Sequence, residues 1–365
     1  MGKNIVVSAI NIVDGGALTV LQDAIKAFDS LEHNELSITF LVASKSVHSS
    51  IKTNLIKFKY FPLSKKSWAV RFFYEYFYFY LYSLKHKPNT WLSLHDTTPT
   101  VKAPNRFVYC HNPSIFLDFP LKDIQLDFKQ FLFSTFYKYL YKINIRKNTS
   151  VITQQVWIAD AFKKIFNVKH ILIAEPDIIA PDSIYTSNSL EPINDGNYKL
   201  FYPAYPRYFK NHAVIFEVQS LSKNIVFWLT IDGKENKYSR QLLRKHNPDN
   251  IEMLGLLDRS KVFELYAKCD ALVFPSLLET WGLPLTEFKN FNKPVIAADL
   301  PYAHESLGDY DKIYWFSPNS AESLVSAIDR ARCGLPPDSP KSTSCSHKKI
   351  LGWKALASHL LETSY

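Results

Sequence analysis

The stretch ALVFPSLLETWGLPLTE, residues 271–287, begins with a short apolar run and ends in an amphipathic one. The run Ala271–Phe274 predicts a buried strand, and Pro284 suits the first position of a helix, where its missing N–H costs nothing. The backbone N–H groups around Gly282 and Leu283 would then be free to bind an anion or a hydroxyl group at the positive end of that helix. A strand, a loop and a helix in this order form the repeating unit of a parallel α/β sheet.

The rest of the chain has the same alternation of short apolar runs and longer amphipathic ones. In the first half the predicted strands are Ile5–Ile10, Ser37–Val42, Trp91–Leu94, Arg106–Tyr109 and Ser150–Thr153. In the second half they are Lys199–Tyr202, Ile225–Thr230, Ile251–Leu254, Ala271–Phe274 and Pro294–Ala297. The alternation indicates an α/β fold in which helices cover both faces of parallel sheets. Because 365 residues exceed what one hydrophobic core usually supports, we expect two domains.

Two polar stretches mark the predicted domain boundaries. Residues Pro181–Asn197 are rich in Pro, Ser, Asn and Asp, lack periodicity and precede a fresh strand, which is typical of a linker. A second polar stretch precedes a final predicted helix, Lys348–Glu362. We therefore expect an N-terminal domain over residues 1–185, a C-terminal domain over residues 198–346 and a terminal helical segment over residues 347–365.

The formal net charge of +9 lies entirely in the first half of the chain. Residues Met1–Ala180 contain 22 Lys and Arg against 13 Asp and Glu, whereas Pro181–Tyr365 contain 21 of each. Such an excess indicates an anionic partner for the first half alone, either nucleic acid or an anionic membrane surface. Because no motif that reads DNA or RNA is visible, we do not expect nucleic acid.

Cysteine usage and the N-terminus predict a cytoplasmic protein. The four cysteines, Cys110, Cys269, Cys333 and Cys345, are widely spaced and form no CxxC pair, so neither a disulfide framework nor a zinc site is expected. The N-terminus enters a strand directly and lacks the apolar region of a signal peptide. No run of 18 uncharged apolar residues occurs, so we expect no membrane span.

Glu279 and Glu287 are candidate ligand-binding residues. Glu279 precedes the turn, and Glu287 lies about one helical turn after Pro284. Both carboxylates can then face one cleft, where one would hold sugar hydroxyls and the other a ribose diol. The alternative is that Glu279 and Glu287 are an ordinary helix cap and a surface charge.

The stretch from Phe274 to Glu287 resembles the Glu-x7-Glu signature of retaining glycosyltransferases of family 4, which have the GT-B fold. The Pro-Ser pair, the Gly-Leu-Pro core and the following Lys293–Ala298 also fit this pattern. The resemblance implies two Rossmann-like domains that face each other across a cleft, with a C-terminal helix that contains Trp353 and crosses back to the first domain. It implies that a nucleotide-sugar donor is bound by Glu279, Trp281, Gly282, Leu283, Pro284 and Glu287.

Further motifs of this family occur in the expected order. Gly15 and Gly16 follow the first strand and open a helix, where glycines permit close approach to a phosphate; a plain tight turn is the alternative. Arg207 and Lys210 follow the first strand of the second domain and resemble the two cations that bind the donor diphosphate. Pro206 and Asn211 stand where the family commonly has glycines, which puts the conformation of this loop in question. The alternative for the two cations is a solvated surface.

A histidine is expected near the reaction centre. His111 follows a first-domain strand, and the resemblance implies that it contacts the donor sugar or the acceptor. A lone histidine at a strand end is more often structural, but this one lies at the carboxyl edge where such sheets bind ligands. The adjacent strand ends at His95 and Asp96, which could act in the same way.

Two aromatic stretches in the first half are interleaved with basic residues. Phe72–Tyr82 is flanked by Lys65, Lys66, Arg71, Lys85 and Lys87, and Phe128–Lys147 contains five cations of its own. Basic residues beside aromatic ones suit an interfacial helix on anionic lipid, or stacking on single-stranded nucleic acid. We expect most of these aromatic side chains to be core, with a minority at a membrane-facing rim.

The resemblance implies a retaining hexosyltransferase that moves a sugar from a nucleotide-diphosphate sugar to a hydroxyl of a lipid-linked saccharide. Arg207, Lys210 and the amides near Gly16 and Gly282 would stabilise the leaving diphosphate without a metal or other cofactor. We expect a peripheral protein at the inner face of the cytoplasmic membrane. The composition, rich in Lys, Asn and Ile, suggests bacterial polysaccharide, lipopolysaccharide or O-antigen synthesis.

Two other functions fit the same sequence. A nucleotide-sugar epimerase has the same architecture but needs no acceptor, so it would convert the donor alone. A non-catalytic protein that binds a membrane surface would use only the basic first half.

Overall fold

The computed structural model describes residues 3–32, 35–177, 196–218, 224–245, 250–341 and 345–363. The chain forms two compact units. The first unit comprises Met1–Pro113, Phe136–Asp177 and Cys345–Tyr365, and the second comprises Ser114–Thr135 and Ile178–Ser344. The sequence prediction placed residues 114–135 in the N-terminal domain, whereas the structure groups them with the second unit. The predicted linker, Pro181–Asn197, lies outside the described residues except for its last two positions.

The first unit contains a sheet of eight strands that are all parallel. With strands numbered in chain order, they are β1 Lys3–Ala9, β2 Leu36–Val42, β3 Ile56–Tyr60, β4 Thr90–Ser93, β5 Asn105–Tyr109, β6 Ser150–Thr153, β7 Ile171–Glu175 and β14 Lys348–Leu351. Their spatial order is β3-β2-β1-β4-β5-β6-β7-β14. The central strands β1 and β4 are buried along nearly their whole length, as is usual where helices cover both faces of a parallel sheet.

Among the described residues, five helices lie in the first unit, and a sixth begins in the second unit, to which residues 128–135 belong, and continues into the first. They are α1 Gly15–Asp29, α2 Trp68–Phe73, α3 Phe79–His86, α4 Phe128–Lys142, α5 Val156–Phe166 and α12 Gly352–Glu362. A π-helical turn, Tyr74–Tyr78, joins α2 to α3. The apolar faces of α1 and α12 share one core with β1, in which Phe28, Leu356 and Leu360 are buried.

The described residues of the second unit form six parallel strands and six helices. The strands are β8 Tyr198–Tyr202, β9 Ile225–Leu229, β10 Ile251–Met253, β11 Ala271–Phe274, β12 Val295–Ala298 and β13 Ile313–Phe316, in the spatial order β10-β9-β8-β11-β12-β13. The helices are α6 His212–Val218, α7 Lys237–Lys245, α8 Arg259–Lys268, α9 Leu283–Phe288, α10 Pro301–Leu307 and α11 Ala321–Arg332. This is the strand order of a Rossmann domain, and the first sheet has the same order through β6.

The strand order fixes where a ligand binds. Strand order reverses between β1 and β4 in the first sheet and between β8 and β11 in the second. In open α/β sheets a ligand binds outside the carboxyl ends of the strands at such a reversal. The loops that follow β1, β4, β8 and β11 are therefore the first places to look for a site.

Three strands and one helix boundary differ from the sequence prediction. The strands Ile56–Tyr60, Ile171–Glu175 and Ile313–Phe316 are absent from the prediction, because they are short and lie at or next to the sheet edges. The predicted helix Lys348–Glu362 is β14 over its first four residues and becomes α12 at Gly352. The left-handed φ of +79° at Gly352 makes this change of direction, and a Cβ there would collide with the Asp177 carboxylate.

No helix among the described residues is both long enough and apolar enough to cross a bilayer.

Candidate active site

An ion pair between Lys210 and Glu279 lies at the strand reversal of the second sheet. Lys210 ends a short 3₁₀ turn after β8, and Glu279 lies in the loop after β11. Lys210 Nζ donates to Glu279 Oε1 at 2.5 Å, and the two side chains are 19% and 12% exposed. Two residues that are 69 positions apart in the sequence thus meet at the point where the strand order predicts that a ligand binds.

The loops that carry Lys210 and Glu279 are joined by buried hydrogen bonds. Tyr202, at the end of β8, donates to the carbonyl oxygen of Lys210 at 2.9 Å, and its hydroxyl also pairs with Ser276 Oγ at 2.7 Å. The Leu277 amide donates to the Phe209 carbonyl at 2.7 Å. These bonds fix both loops to one another, so the positions of the two charges do not depend on their mutual attraction alone.

Asn211, which stands where the family commonly has a glycine, adopts the backbone conformation of a glycine. Its φ is +54°, in the left-handed region that glycine usually occupies. Asparagine tolerates this conformation better than other non-glycine residues, and here its side-chain amide also donates to the Pro318 carbonyl at 2.9 Å. The loop therefore turns as it would with a glycine.

Arg207 is exposed at the start of the same 3₁₀ turn. Its guanidinium lies 5.4 Å from the ring centre of Tyr205, a cation–π contact that leaves its N–H groups accessible to an anion. The two cations thus have different partners, because Lys210 is paired with the Glu279 carboxylate whereas Arg207 packs against the ring of Tyr205.

Gly282 caps the N-terminus of α9 with a backbone conformation in the left-handed region. Gly282 has a φ of +80°, and a Cβ there would lie 3.3 Å from Leu285 and 3.5 Å from Phe274. Pro284 lies in the first turn of α9, as predicted, and Leu283 is its first residue. Trp281 is buried, and its carbonyl oxygen accepts a hydrogen bond from Ser306 Oγ. Helix α9 is only six residues long, so its dipole adds little to the amides of its first turn.

Glu287 has two partners that the sequence analysis does not identify. Arg259, the first residue of α8, donates through Nη2 to Glu287 Oε1 at 2.6 Å, and Tyr266 Oη donates to Oε2 at 3.3 Å. Burial raises the pKa of Glu287, while Arg259 and Tyr266 act in the opposite direction. A carboxylate has about four acceptor sites, so two remain for the hydroxyls of a ligand. Arg259 could have been identified as a candidate from its position in the sequence, because it follows β10 and so lies at the carboxyl edge of the second sheet.

Gly15 and Gly16 form the first turn of α1, directly after β1. Gly15 has a φ of +65°, and a Cβ on either glycine would meet nothing within 4 Å. Asp14 precedes the helix but makes no side-chain capping bond, and the first turn contains no acidic residue. The amides at this end of α1 are thus exposed to solvent and open to an anion.

His111 is held against Asp96 in the first unit. The backbone amides of His111 and Asn112 donate to Asp96 Oδ1 at 2.7 and 3.0 Å. His111 Nε2 lies 3.8 Å from Asp96 Oδ2, and His111 is partly exposed. Asp96 has a φ of +69° at the end of β4, so the carboxylate that positions the histidine comes from the strand reversal of the first sheet.

His95 is completely buried, so it cannot contact a substrate as the sequence suggested it could. Burial lowers its pKa to about 4, and its ring pairs with Ser8 Oγ at 3.1 Å. Next to it, Arg71 Nε donates to Glu75 Oε1 at 2.5 Å in a pair that is also buried. Burial alone would raise the pKa of Glu75, but His95 and Arg71 bring it below its usual value. This buried cluster supports the loop that carries Asp96.

The described residues contain no group of three or more His, Cys, Asp or Glu side chains that could hold a metal ion. The Asp-x-Asp sequence Asp309–Asp311 precedes β13 and lies at the amino edge of the second sheet, away from the loops described above.

Trp353 is buried at the start of α12, with its ring 5.0 Å from that of Tyr109 and its amide bonded to Asp177. This contact is structural.

A family model described as Glycosyl transferases group 1 matches residues 187–332, a range that lies within the second unit. The match includes Arg207, Lys210, Glu279 and Glu287. The O-antigen chain mannosyltransferase RfbU of Salmonella typhimurium (strain LT2) is 25% identical over 200 residues. That alignment covers 54% of this chain and 55% of the relative, so the chain matches about half the length of this relative.

Solved structures with the same fold include sucrose-phosphate synthase from Thermosynechococcus elongatus, with a TM-score of 0.63, 13% identity and coverage of 99% of this chain and 94% of that chain. WaaG, a glycosyltransferase involved in lipopolysaccharide biosynthesis, has a TM-score of 0.61 at 14% identity, with 90% of each chain covered. These likenesses and the two parallel sheets confirm the predicted fold, the GT-B architecture of two Rossmann-like domains.

Proposed function

We propose that this chain is a retaining hexosyltransferase that moves a sugar from a nucleotide-diphosphate sugar to a hydroxyl of a lipid-linked saccharide. The second unit would bind the donor and the first unit the acceptor.

The Lys210–Glu279 ion pair is the observation that carries this proposal. It places a cation and a carboxylate together at the strand reversal of the domain that matches the glycosyl transferases group 1 family. A nucleotide-diphosphate sugar presents a dianionic diphosphate next to hydroxyl groups, and this pair offers one partner to each. Lys210 would bind the diphosphate and Glu279 the sugar hydroxyls.

The remaining candidates complete the donor site. Arg207 would share the diphosphate with Lys210. The backbone N–H groups of Gly282 and Leu283, together with Pro284 and the ring of Trp281, would border the sugar. Glu287 would accept hydrogen bonds from the ribose diol, with Arg259 holding its carboxylate in place. This assignment gives the diphosphate, the sugar hydroxyls and the ribose diol each a partner of the appropriate charge.

Departure of the nucleoside diphosphate requires stabilisation of growing negative charge. Arg207 and Lys210 would supply it, together with the exposed amides of Gly15 and Gly16, so no metal ion or other cofactor is required. Preorganised donors of this kind contribute roughly 3–4 kcal/mol each to lowering the barrier. His111, positioned by Asp96, would lie near the reacting sugar. Retention of configuration rests on the resemblance of residues 279–287 to family 4.

The pathway is proposed from the comparisons. The matched relative acts, by its name, as an O-antigen chain mannosyltransferase, and WaaG is involved in lipopolysaccharide biosynthesis. A nucleotide-activated mannose is therefore the first donor to test, with a lipid-linked saccharide of a bacterial polysaccharide pathway as acceptor. Such an acceptor lies in a membrane, and the basic first half would hold the protein peripherally at the inner face of the cytoplasmic membrane.

The test combines binding and turnover. Thermal unfolding of the purified chain with UDP-, GDP- and ADP-sugars identifies the donor, since a ligand that binds the folded state raises the melting temperature. The stabilising donor is then incubated with and without lipid-linked acceptor, and NMR of the product reports its anomeric configuration. Transfer that requires the acceptor and retains configuration is expected. Conversion of the donor alone would identify an epimerase, and the absence of both reactions would leave only a binding role.

A further inference from the structure

The segment that comprises α4 and the turn after it combines positive charge with exposed aromatic residues. Between Asp127 and Asp160 the chain contains five cations and no carboxylate. The cations are Lys129, Lys138, Lys142, Arg146 and Lys147, and the last three cluster at the end of α4 and in the turn that follows. Neighbouring residues of the sequence therefore offer Lys142, Arg146 and Lys147 no anionic partner.

The outer face of α4 carries an apolar stripe that folding does not use. Phe136 and Tyr139 are 54% and 55% exposed, and Ile143, just beyond the helix, continues the stripe at 36%. Positions 136, 139 and 143 lie on one helix face, opposite the buried Tyr137 and Tyr141. Large apolar side chains exposed in a row indicate contact with an apolar surface.

A pocket lies beside the end of this stripe. Lys142, Arg146 and Lys147 line it together with Asn144, Ile165 and Phe166, and its volume is about 380 Å³. Arg146 Nε donates to the Phe166 carbonyl at 2.9 Å, which holds the guanidinium at the pocket wall. No acidic residue lines the pocket, so it offers three positive charges to an anion.

We propose that this pocket binds the phosphate of an anionic phospholipid headgroup while Phe136, Tyr139 and Ile143 insert at the headgroup–acyl boundary. Charge complementarity selects the anion, and the adjacent apolar stripe selects a lipid over a free phosphate or a nucleic acid. A cation near a membrane surface contributes about 1 kcal/mol, and aromatic side chains suit the interface itself. The inference extends the peripheral-membrane part of the proposed function by naming a lipid site, and it does not depend on glycosyl transfer.

The test uses the full chain without any sugar nucleotide. Binding is measured by co-sedimentation with vesicles of phosphatidylcholine alone and of phosphatidylcholine mixed with phosphatidylglycerol. We expect the wild type to prefer the phosphatidylglycerol vesicles, and K142Q/R146Q/K147Q to bind them about 100-fold more weakly. The matched control is K45Q/K52Q/K57Q, which removes three exposed lysines of the same unit outside the pocket and should retain most of the binding.

Two further measurements test whether the bound phosphate belongs to a lipid, to a small free molecule or to a nucleic acid. F136S/Y139S should weaken binding to vesicles while leaving the melting temperature unchanged, because both side chains are exposed. Glycerol phosphate and single-stranded DNA at physiological salt should compete poorly with the vesicles. Equal loss of binding in the pocket variant and in the lysine control would overturn the pocket, as would vesicle binding that neither the pocket nor the stripe variant changes. If glycerol phosphate or DNA saturates the protein and vesicles do not bind, the proposal that the ligand is a lipid would be overturned.

Failure of this test is separable from failure of the proposed function. Loss of transfer activity with vesicle binding intact would argue against the glycosyltransferase, whereas intact transfer to a detergent-solubilised acceptor without vesicle binding would argue against the lipid site.

Discussion

Lys210 and Glu279 share one ion pair, yet the proposed mechanism gives them different ligands. We predict that Lys210→Ala weakens binding of the nucleoside diphosphate itself, whereas Glu279→Ala leaves that binding nearly intact and weakens only binding of the complete nucleotide sugar. Both variants should lower turnover by about 100-fold or more, as removal of one preorganised charge-stabilising group typically does. Isothermal titration with the nucleoside diphosphate and with the nucleotide sugar separates the two effects.

The control for this prediction is Lys234→Ala, which removes a lysine that is 86% exposed and paired only with Asp232 at the surface. It should leave both titrations unchanged. Equal loss of nucleoside diphosphate binding in Lys210→Ala and Glu279→Ala would contradict the division of roles and indicate that the pair merely holds the two loops together.

His212 makes the stability of the second unit depend on pH. It is completely buried behind Lys210, and burial followed by the charge of Lys210 lowers its pKa to about 3 from 6.5. The unfolded chain therefore binds a proton that the folded chain does not, and stability falls as the pH drops from about 6.5 toward 3. By pH 5 this one group should cost about 2 kcal/mol of the free energy of unfolding.

Urea denaturation at pH 7 and pH 5 measures this loss in the wild type and in His212→Gln, which should show a smaller difference between the two pH values. His170→Gln, at an exposed position, should leave the difference unchanged. An unchanged difference in His212→Gln would show that other groups cause the acid sensitivity.

The π-helical turn Tyr74–Tyr78 places a charged side chain in the interior of the first unit. It carries Glu75, which is 2% exposed and pairs with the buried Arg71, while Thr97 Oγ1 donates to its other oxygen at 2.7 Å. Removing one member of such a pair leaves an uncompensated buried charge. We predict that Glu75→Ala lowers the free energy of unfolding by about 3–5 kcal/mol.

Chemical denaturation checks this value, with Glu32→Ala as an exposed control in the same unit that should change stability by about 0.5 kcal/mol or less. The double variant R71M/E75L should recover most of the loss, because apolar replacement of a whole buried pair is often neutral. A double variant as unstable as Glu75→Ala would mean that the charges themselves, through Thr97 and His95, hold the loop in place.

At the scale of the whole molecule, the chain returns to its first unit at the C-terminus. Strand β14 pairs with β7, and α12 completes the core that α1 and β1 begin. The first unit is thus incomplete without residues 345–363. We predict that Leu360→Ala, at a fully buried position, costs about 2–5 kcal/mol, whereas Leu351→Ala, at a position that is 64% exposed, costs little.

Urea denaturation and limited proteolysis measure this contrast, which compares the same substitution within one C-terminal segment. Equal small effects would show that α12 docks without contributing to the core. A chain that ends after Leu351 should expose the first unit to proteolysis for the same reason.

The amino-acid sequence by itself predicts the fold, most strands and the positions of the candidate residues along the chain. Apolar periodicity and turn residues are local signals, so Ala271–Phe274, the start of α9 at Gly282–Pro284 and the loop at Arg207–Lys210 could all be located from neighbouring residues. Short edge strands such as Ile56–Tyr60 carry too few residues for a clear period.

Only the tertiary structure decides which residues become partners. The pairing of Lys210 with Glu279 and of Glu287 with Arg259 joins residues that are 69 and 28 positions apart, and no local pattern specifies such pairs. The same holds for the burial of His95, which looked available at a strand end, and for residues 114–135, which belong to the second unit. Strand order brings these segments together, because parallel strands place the loops at their carboxyl ends side by side whatever their separation along the chain.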